Sequence, residues 1–213
     1  MRGESRRPAW AEIDLEALRS NVRAFRAAAA PATVCAVVKA DAYGHGAVPA
    51  SRAVVEAGAS GLAVATVSEG AELREAGIDA PVMVLSEPRP EDAVEVAALR
   101  LDPVVYTAAG IDALAAAAAE RDRVAVHLKV DTGMHRVGCR PEDAVGLARR
   151  IVAAPGLTLA GVCTHFAVAD DPDHGFTAEQ QRRFDGVLTE LAAAGIDPGT
   201  VHACNSAATF TAA

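Results

Sequence analysis

Lys39 ends a short apolar run, TVCAVV (residues 33–38), and is followed at once by ADAYGHG (residues 40–46). Alternation puts Val34, Ala36 and Val38 on one face of a strand and Cys35, Val37 and Lys39 on the other, so the lysine closes a strand just before a loop. A lysine with a packed stem and a desolvated amine loses its proton readily. It can then act as a Schiff-base nucleophile or a general base. Lys129 closes a second apolar run and leads into DTGMHRVGC (residues 131–139), which carries Asp131, His135 and Arg136. Arg136 suits a bidentate grip on a carboxylate or phenolate, or a salt bridge to Asp131. Two lysines at one site repel each other, and neutralising one relieves that. Thr164 and His165 end a third run, and His202 a fourth. His165, taken alone, reads most simply as a satisfied core histidine. Asn205 and Ser206 stand where a strand gives way to a helix. Backbone N–H groups hold phosphates at such places, although Asn and Ser also cap helices without a ligand. His45 lies in a Gly-rich loop, and its pattern assigns it no role. No His, Cys, Asp or Glu set has metal-ligand spacing.

The elements that carry these residues alternate. Seven runs read as strands: residues 33–38, 61–67, 81–85, 103–106, 124–130, 157–165 and 200–203. They are short, β-branched and almost continuously apolar, as parallel strands covered on both faces are. Helical patterns separate them. One runs from Thr177 to Ala194, with Thr177 and Gln180 as a capping-box pair, an apolar stripe of Phe184, Val187, Leu188 and Leu191, and Gly195 as its stop. Another has Pro141 near its first turn, and a third opens at Ser68 and stops at Gly77. A further helix precedes the first strand, capped by Asp14, with Leu15, Leu18, Val22 and Phe25 facing inward. Helix followed by seven βα units implies an α/β chain built as a (β/α)₈ barrel with about seven units present. An open doubly wound sheet is the runner-up, weakened because no GxGxxG follows any strand. In a barrel the C-terminal strand ends gather the chemistry, and the polar residues above all fall there. A complete barrel takes roughly 250 residues, so the 213 residues are expected to be a piece of a longer protein.

Composition narrows the partners. The formal net charge of -8 argues against nucleic acid and anionic membranes, and no stretch is long and apolar enough to span a bilayer. The four cysteines show no CxxC spacing; three lie in apolar runs and read as buried free thiols, which suits a reducing cytoplasm.

Five segments, in order, resemble alanine racemases: AWAEIDLEALRSN from residue 9, AVVKADAYGHGA from 36, VHLKVDTGMHRVG from 126, THFAVAD from 164 and HACNSAAT from 202. The resemblance spans essentially the whole chain. It implies that residues 1–213 form the N-terminal barrel domain of a pyridoxal-phosphate enzyme that interconverts L- and D-alanine and supplies D-alanine for peptidoglycan. By this likeness Lys39 holds pyridoxal phosphate covalently and shuttles the α-proton on the D-alanine face. Tyr43 and Ser206 contact the phosphate, with Asn205 nearby. His165 packs on the pyridine ring. Arg136 bonds the phenolic oxygen and helps place the substrate carboxylate, Lys129 is carbamylated and orients Arg136, and His202 supports an arginine at the ring nitrogen. The family's second proton carrier is a tyrosine in a C-terminal β-domain, contributed by the other subunit of a homodimer. Neither that domain nor the arginine lies in these 213 residues, so by themselves they are expected to be inactive. Two other readings stay open: a single-barrel pyridoxal-phosphate carrier without turnover, whose lysine segment is written differently, and a cofactor-free lyase using a Lys39 Schiff base.

Overall fold

The computed structural model describes residues 9–118 and 123–211. Seven parallel strands form one sheet in sequence order: β1 (Cys35–Val37), β2 (Gly61–Val64), β3 (Val82–Val84), β4 (Asp102–Val105), β5 (Val124–Lys129), β6 (Leu157–Cys163) and β7 (Thr200–His202). All seven expected strands are present; six are shorter than or within the expected bounds, and β4 begins one residue earlier, at Asp102. Each pairs in parallel with the next, and the sheet curls into an incomplete barrel whose edges are β1 and β7. No doubly wound order is found.

Helices α1 (Leu15–Ala29), α3 (Ala47–Glu56), α4 (Val67–Glu75), α5 (Ala93–Ala98), α6 (Ala108–Ala118), α7 (Ala144–Ala153), α8 (Phe176–Ala193) and α9 (Ser206–Thr211) join the strands, and α2 (Lys39–Gly44) is a single turn discussed below. Between helices and sheet lies one contiguous apolar core that includes Leu62, Leu73, Val96, Ile111, Leu128, Ile151 and Leu191. Alanine fills the close approaches: Ala53, Ala144 and Ala148 are fully buried. Among the described residues no helix is long and apolar enough to cross a membrane.

Asp14 caps α1 by accepting from the N–H groups of Glu16 and Ala17, and Val22 is buried. Phe25 is half-buried and packs on Phe210 of α9, with ring centroids 4.7 Å apart. Other expectations need correction. The helix expected to open at Ser68 is capped two residues earlier, by Thr66, in a capping box with Glu69. Thr177 and Gln180 form no such box. α8 starts at Phe176 behind Gly175 as its N-cap, whose φ of 72° suits glycine, without a side-chain cap. Gln180 is instead fully buried and bonded to neighbouring loops, while Thr177 Oγ1 is buried without a partner. Of the four free cysteines, Cys139 and Cys163 are buried, and Cys35 and Cys204 are exposed.

Candidate active site

Lys39 follows the edge strand β1, and its backbone leads into an unusual turn. Ala40, Asp41, Ala42 and Tyr43 all have left-handed conformation, with φ from 51 to 57°. For residues with a Cβ this costs about 1–2 kcal/mol each, and it normally occurs singly. Four in a row persist only if the surroundings over-determine them. The Ala42 N–H donates to the Val38 carbonyl at 2.9 Å and the Gly46 N–H to the Asp41 carbonyl at 2.9 Å. Asp41 Oδ1 accepts the Ala47 N–H at 2.6 Å, at the start of α3. His45 Nδ1 lies 2.7 Å from the Ala42 carbonyl, so that nitrogen carries the proton and donates. This gives His45 a place in the site: it closes the turn behind Lys39. Sequence reasoning foresaw only a loop here, because Ala and Tyr carry no left-handed signature of the kind Gly, Asn or Asp does.

Lys129 sits differently. It is the last residue of β5, a strand paired on both sides, where it pairs with Cys163 of β6, and the residue is half-buried. Burial pushes its pKa down, and Arg136 adds to the lowering. The loop that follows is clasped at its base: the Asp131 N–H donates to the Cys139 carbonyl at 2.8 Å and the Cys139 N–H to the Lys129 carbonyl at 2.9 Å. Gly138, at φ 125°, lets the chain return there, since a Cβ would meet the Asp131 nitrogen at 2.6 Å. Asp131 Oδ1 accepts from the Gly133 and His135 N–H groups at 2.9 and 3.0 Å, and Oδ2 lies 3.3 Å from His135 Nδ1. The salt bridge considered between Asp131 and Arg136 is therefore not made; Asp131 is engaged by its own loop.

His165 leaves the end of β6. Burial first, and then Lys129, Arg136 and Lys39, push its pKa down to about 4, so the ring is neutral at pH 7. Lys129, Arg136, Thr164 and His165 line one small cavity at the barrel mouth, together with Asp131 and Met134. Beneath it runs a buried polar network that sequence reasoning missed. Gln180 Nε2 donates to the His165 carbonyl at 3.0 Å and to Thr132 Oγ1 at 3.2 Å, and its Oε1 accepts the Ala167 N–H at 2.8 Å. Thr132 and Thr164 share a hydroxyl hydrogen bond of 2.8 Å. A fully buried glutamine inside an amphipathic stripe was the available signal, since such a group must find partners.

His202 ends β7, and its Nε2 lies 3.1 Å from Nδ1 of His127 on β5. Burial pushes both rings down to about 4, and a Cβ on Gly161 would collide with the His127 ring. Asn205 caps α9 through Oδ1 to the Ala208 N–H at 3.0 Å and ties back to the Phe166 carbonyl at 3.2 Å. Ser206, the first residue of α9, is exposed, as is Tyr43.

The residues named in advance thus lie at the C-terminal ends of β1, β5, β6 and β7. Two basic side chains, Lys129 and Arg136, line the mouth beside the neutral His165 ring, and Lys39 adds to the lowering of its pKa. The neighbouring carboxylate, Asp131, is occupied by loop N–H groups. Such a mouth suits an anionic ligand, and the amine of Lys39 suits one that carries a carbonyl.

Comparison with known proteins agrees in kind. The family described as "Alanine racemase, N-terminal domain" matches residues 13–213. The alanine racemase of Desulfovibrio desulfuricans is 42% identical over 204 residues, covering 95% of this chain and 55% of that protein. That of Treponema denticola is 48% identical over 177 residues, covering 81% and 47%. Among solved structures, the alanine racemase of Streptomyces lavendulae superposes with a TM-score of 0.88 at 41% identity, over 93% of this chain and 53% of that one. The Clostridium difficile 630 alanine racemase in complex with cycloserine gives 0.91 at 32% identity, over 97% and 57%. The chain spans about half the length of the curated relatives it matches.

Proposed function

Because this chain belongs to the alanine racemase family, we propose that residues 1–213 are the N-terminal barrel domain of a pyridoxal-phosphate-dependent enzyme that interconverts L- and D-alanine. The observation that carries this reading is the cavity at the barrel mouth lined by Lys129, Arg136 and His165, with Lys39 at the end of β1 near enough for its charge to lower the His165 pKa. That donor set fits pyridoxal phosphate: an amine for its carbonyl carbon, cations for its phenolate and phosphate, and a neutral ring to lie against. When bound, the cofactor supplies an electron-poor ring that makes the α-proton of alanine removable.

Lys39 holds the cofactor and moves that proton on the D-alanine face. Arg136, left free of Asp131, meets the phenolic oxygen and the substrate carboxylate. Tyr43, Ser206 and Asn205 attend the phosphate; Asn205 does so by capping α9 and so presenting Ser206. His165 packs on the ring and stays neutral there. Lys129 acts as a carbamate: its depressed pKa leaves more free amine to add to carbon dioxide, with loss of a proton, and the product anion suits the guanidinium of Arg136. His202, steadied by His127, supports the group that faces the ring nitrogen. A second proton carrier for the opposite face comes from the other subunit of a homodimer. Four free thiols fit a cytoplasmic enzyme, and D-alanine for peptidoglycan is its product.

Borohydride reduction of the full-length protein with pyridoxal phosphate, followed by peptide mapping, tests the assignment. The pyridoxyl group is expected on Lys39, and a label on Lys129 instead refutes it. Chiral chromatography of L-alanine incubated with the same protein reads the racemisation itself.

A further inference from the structure

The left-handed turn behind Lys39 follows a short strand: β1 is three residues long. The anchor at the start of the turn comes from the next βα unit. Glu69 stands in the first turn of α4. Its Oε2 accepts the N–H groups of Ala65 at 2.7 Å and Thr66 at 3.3 Å, which completes the capping box. Its Oε1 reaches across and accepts the N–H of Ala40 at 2.8 Å. Ala40 directly follows Lys39 and is the first left-handed residue.

Resting on the reading of Lys39 as the cofactor lysine, we infer that Glu69 is a positioning residue of the active site: its second oxygen locks the Lys39–Ala40 peptide and so fixes where the lysine amine is presented. Capping alone does not explain the contact. Oε2 closes the box, and Oε1 is spent on a residue 29 positions away. Without Glu69 the Ala40 N–H loses its acceptor, and the turn is freed at the point where Lys39 leaves the strand.

The test uses the full-length protein and the variants Glu69→Ala, Glu69→Gln and Thr66→Ala. The last weakens the cap of α4 but leaves the Ala40 contact in place, so it separates cap from tether. The first readout needs no cofactor. Amide hydrogen exchange at Ala40 should be about tenfold faster in Glu69→Ala, the loss of one charge-assisted hydrogen bond, and unchanged in Thr66→Ala. The second is the rate at which pyridoxal phosphate becomes trappable on Lys39, together with the pH midpoint of the bound absorbance band. Glu69→Ala should slow attachment about tenfold and move the midpoint. Glu69→Gln should fall between it and the wild type, because its amide oxygen still accepts one N–H. If Glu69→Ala does not fold, Glu69→Gln carries the same comparison with Thr66→Ala. Unchanged Ala40 exchange, or equal slowing in Thr66→Ala, overturns the inference. A wild-type protein that takes no label on Lys39 overturns the functional reading instead, and exchange at Ala40 still decides the tether.

Discussion

The two lysine-bearing strand ends, Lys39 after β1 and Lys129 on β5, are built on opposite plans. Lys129 belongs to a central strand of six residues, hydrogen-bonded on both sides, whose following loop is pinned back on itself by backbone bonds. Its position follows from the sheet, and burial there shifts its pKa down. Lys39 follows a strand of three residues and is succeeded by four left-handed residues held by side chains: Asp41 to α3, His45 to its own turn and Glu69 from α4. A long paired strand delivers a rigid side chain as a by-product of pairing. A left-handed turn needs dedicated anchors, and strain of this kind concentrates where function requires a conformation that packing alone would not choose.

This contrast can be broken at several points. The largest effect is expected at Lys39. Lys39→Ala should remove borohydride-trappable cofactor and lower racemisation in both directions by at least about 10²–10⁴-fold, since one group serves as tether and proton carrier. Near-normal turnover without added amine would end that role. At the centre, Lys129→Met removes both the amine and any carbamate. Arg136 then loses its proposed partner, and kcat/KM for alanine should fall about 10²-fold, the usual scale for a misplaced binding group. A high-resolution map of the wild type supplies the companion check: a bare ammonium at Lys129 beside a well-placed Arg136 contradicts the carbamate.

Stability sharpens the same comparison. Gln180→Leu strips the central mouth of its buried bonds to Thr132, the His165 carbonyl and the Ala167 N–H. Leaving such groups without partners should cost about 2–3 kcal/mol in urea unfolding. Asp41→Ala in the left-handed turn removes one hydrogen bond to the α3 terminus and should cost about 1 kcal/mol. A larger loss at Asp41 than at Gln180 would reverse the picture of a stiff β5 end and a tethered turn after β1. The histidines give a pH signature. His127, His165 and His202 all have folded-state pKa values lowered to about 4 from 6.5. Between those limits the unfolded chain binds protons that the folded one does not. Stability should therefore fall as pH drops from about 6.5 towards 4, by on the order of 1–2 kcal/mol per histidine by pH 5. Asp102, raised to about 6 by burial, opposes this over part of the window. Urea curves at pH 7 and pH 5 read the net sign, and His127→Gln should flatten the dependence if the buried pair contributes to it.

Much of this was legible in the residues. The seven apolar β-branched runs announced seven parallel strands, because a strand covered on both faces must be apolar throughout, as Gly61–Val64 is. Strand ends then placed Lys39, Lys129, His165, His202 and Asn205 at one rim. Local pattern misled where a side chain's partner lay elsewhere in the fold. Gln180 had capping-box spacing from Thr177, yet burial beside Thr132 and His165 gave it better hydrogen bonds. Asp131 was near enough in sequence to pair with Arg136, yet the loop N–H groups claimed it first.

What the sequence determined by itself was therefore periodic and local: which segments are strands, which are helices, where each ends, and which residue types stand at those ends. The seven-strand curl, the neutral His165 beside Lys129 and Arg136, the His127–His202 contact and the left-handed turn behind Lys39 were decided only by the tertiary structure. Each depends on groups brought together from distant parts of the chain. Glu69 and Ala40 illustrate the reason: no propensity marks four left-handed residues in ADAYGHG, and a carboxylate from the following βα unit supplies an anchor that local sequence does not contain.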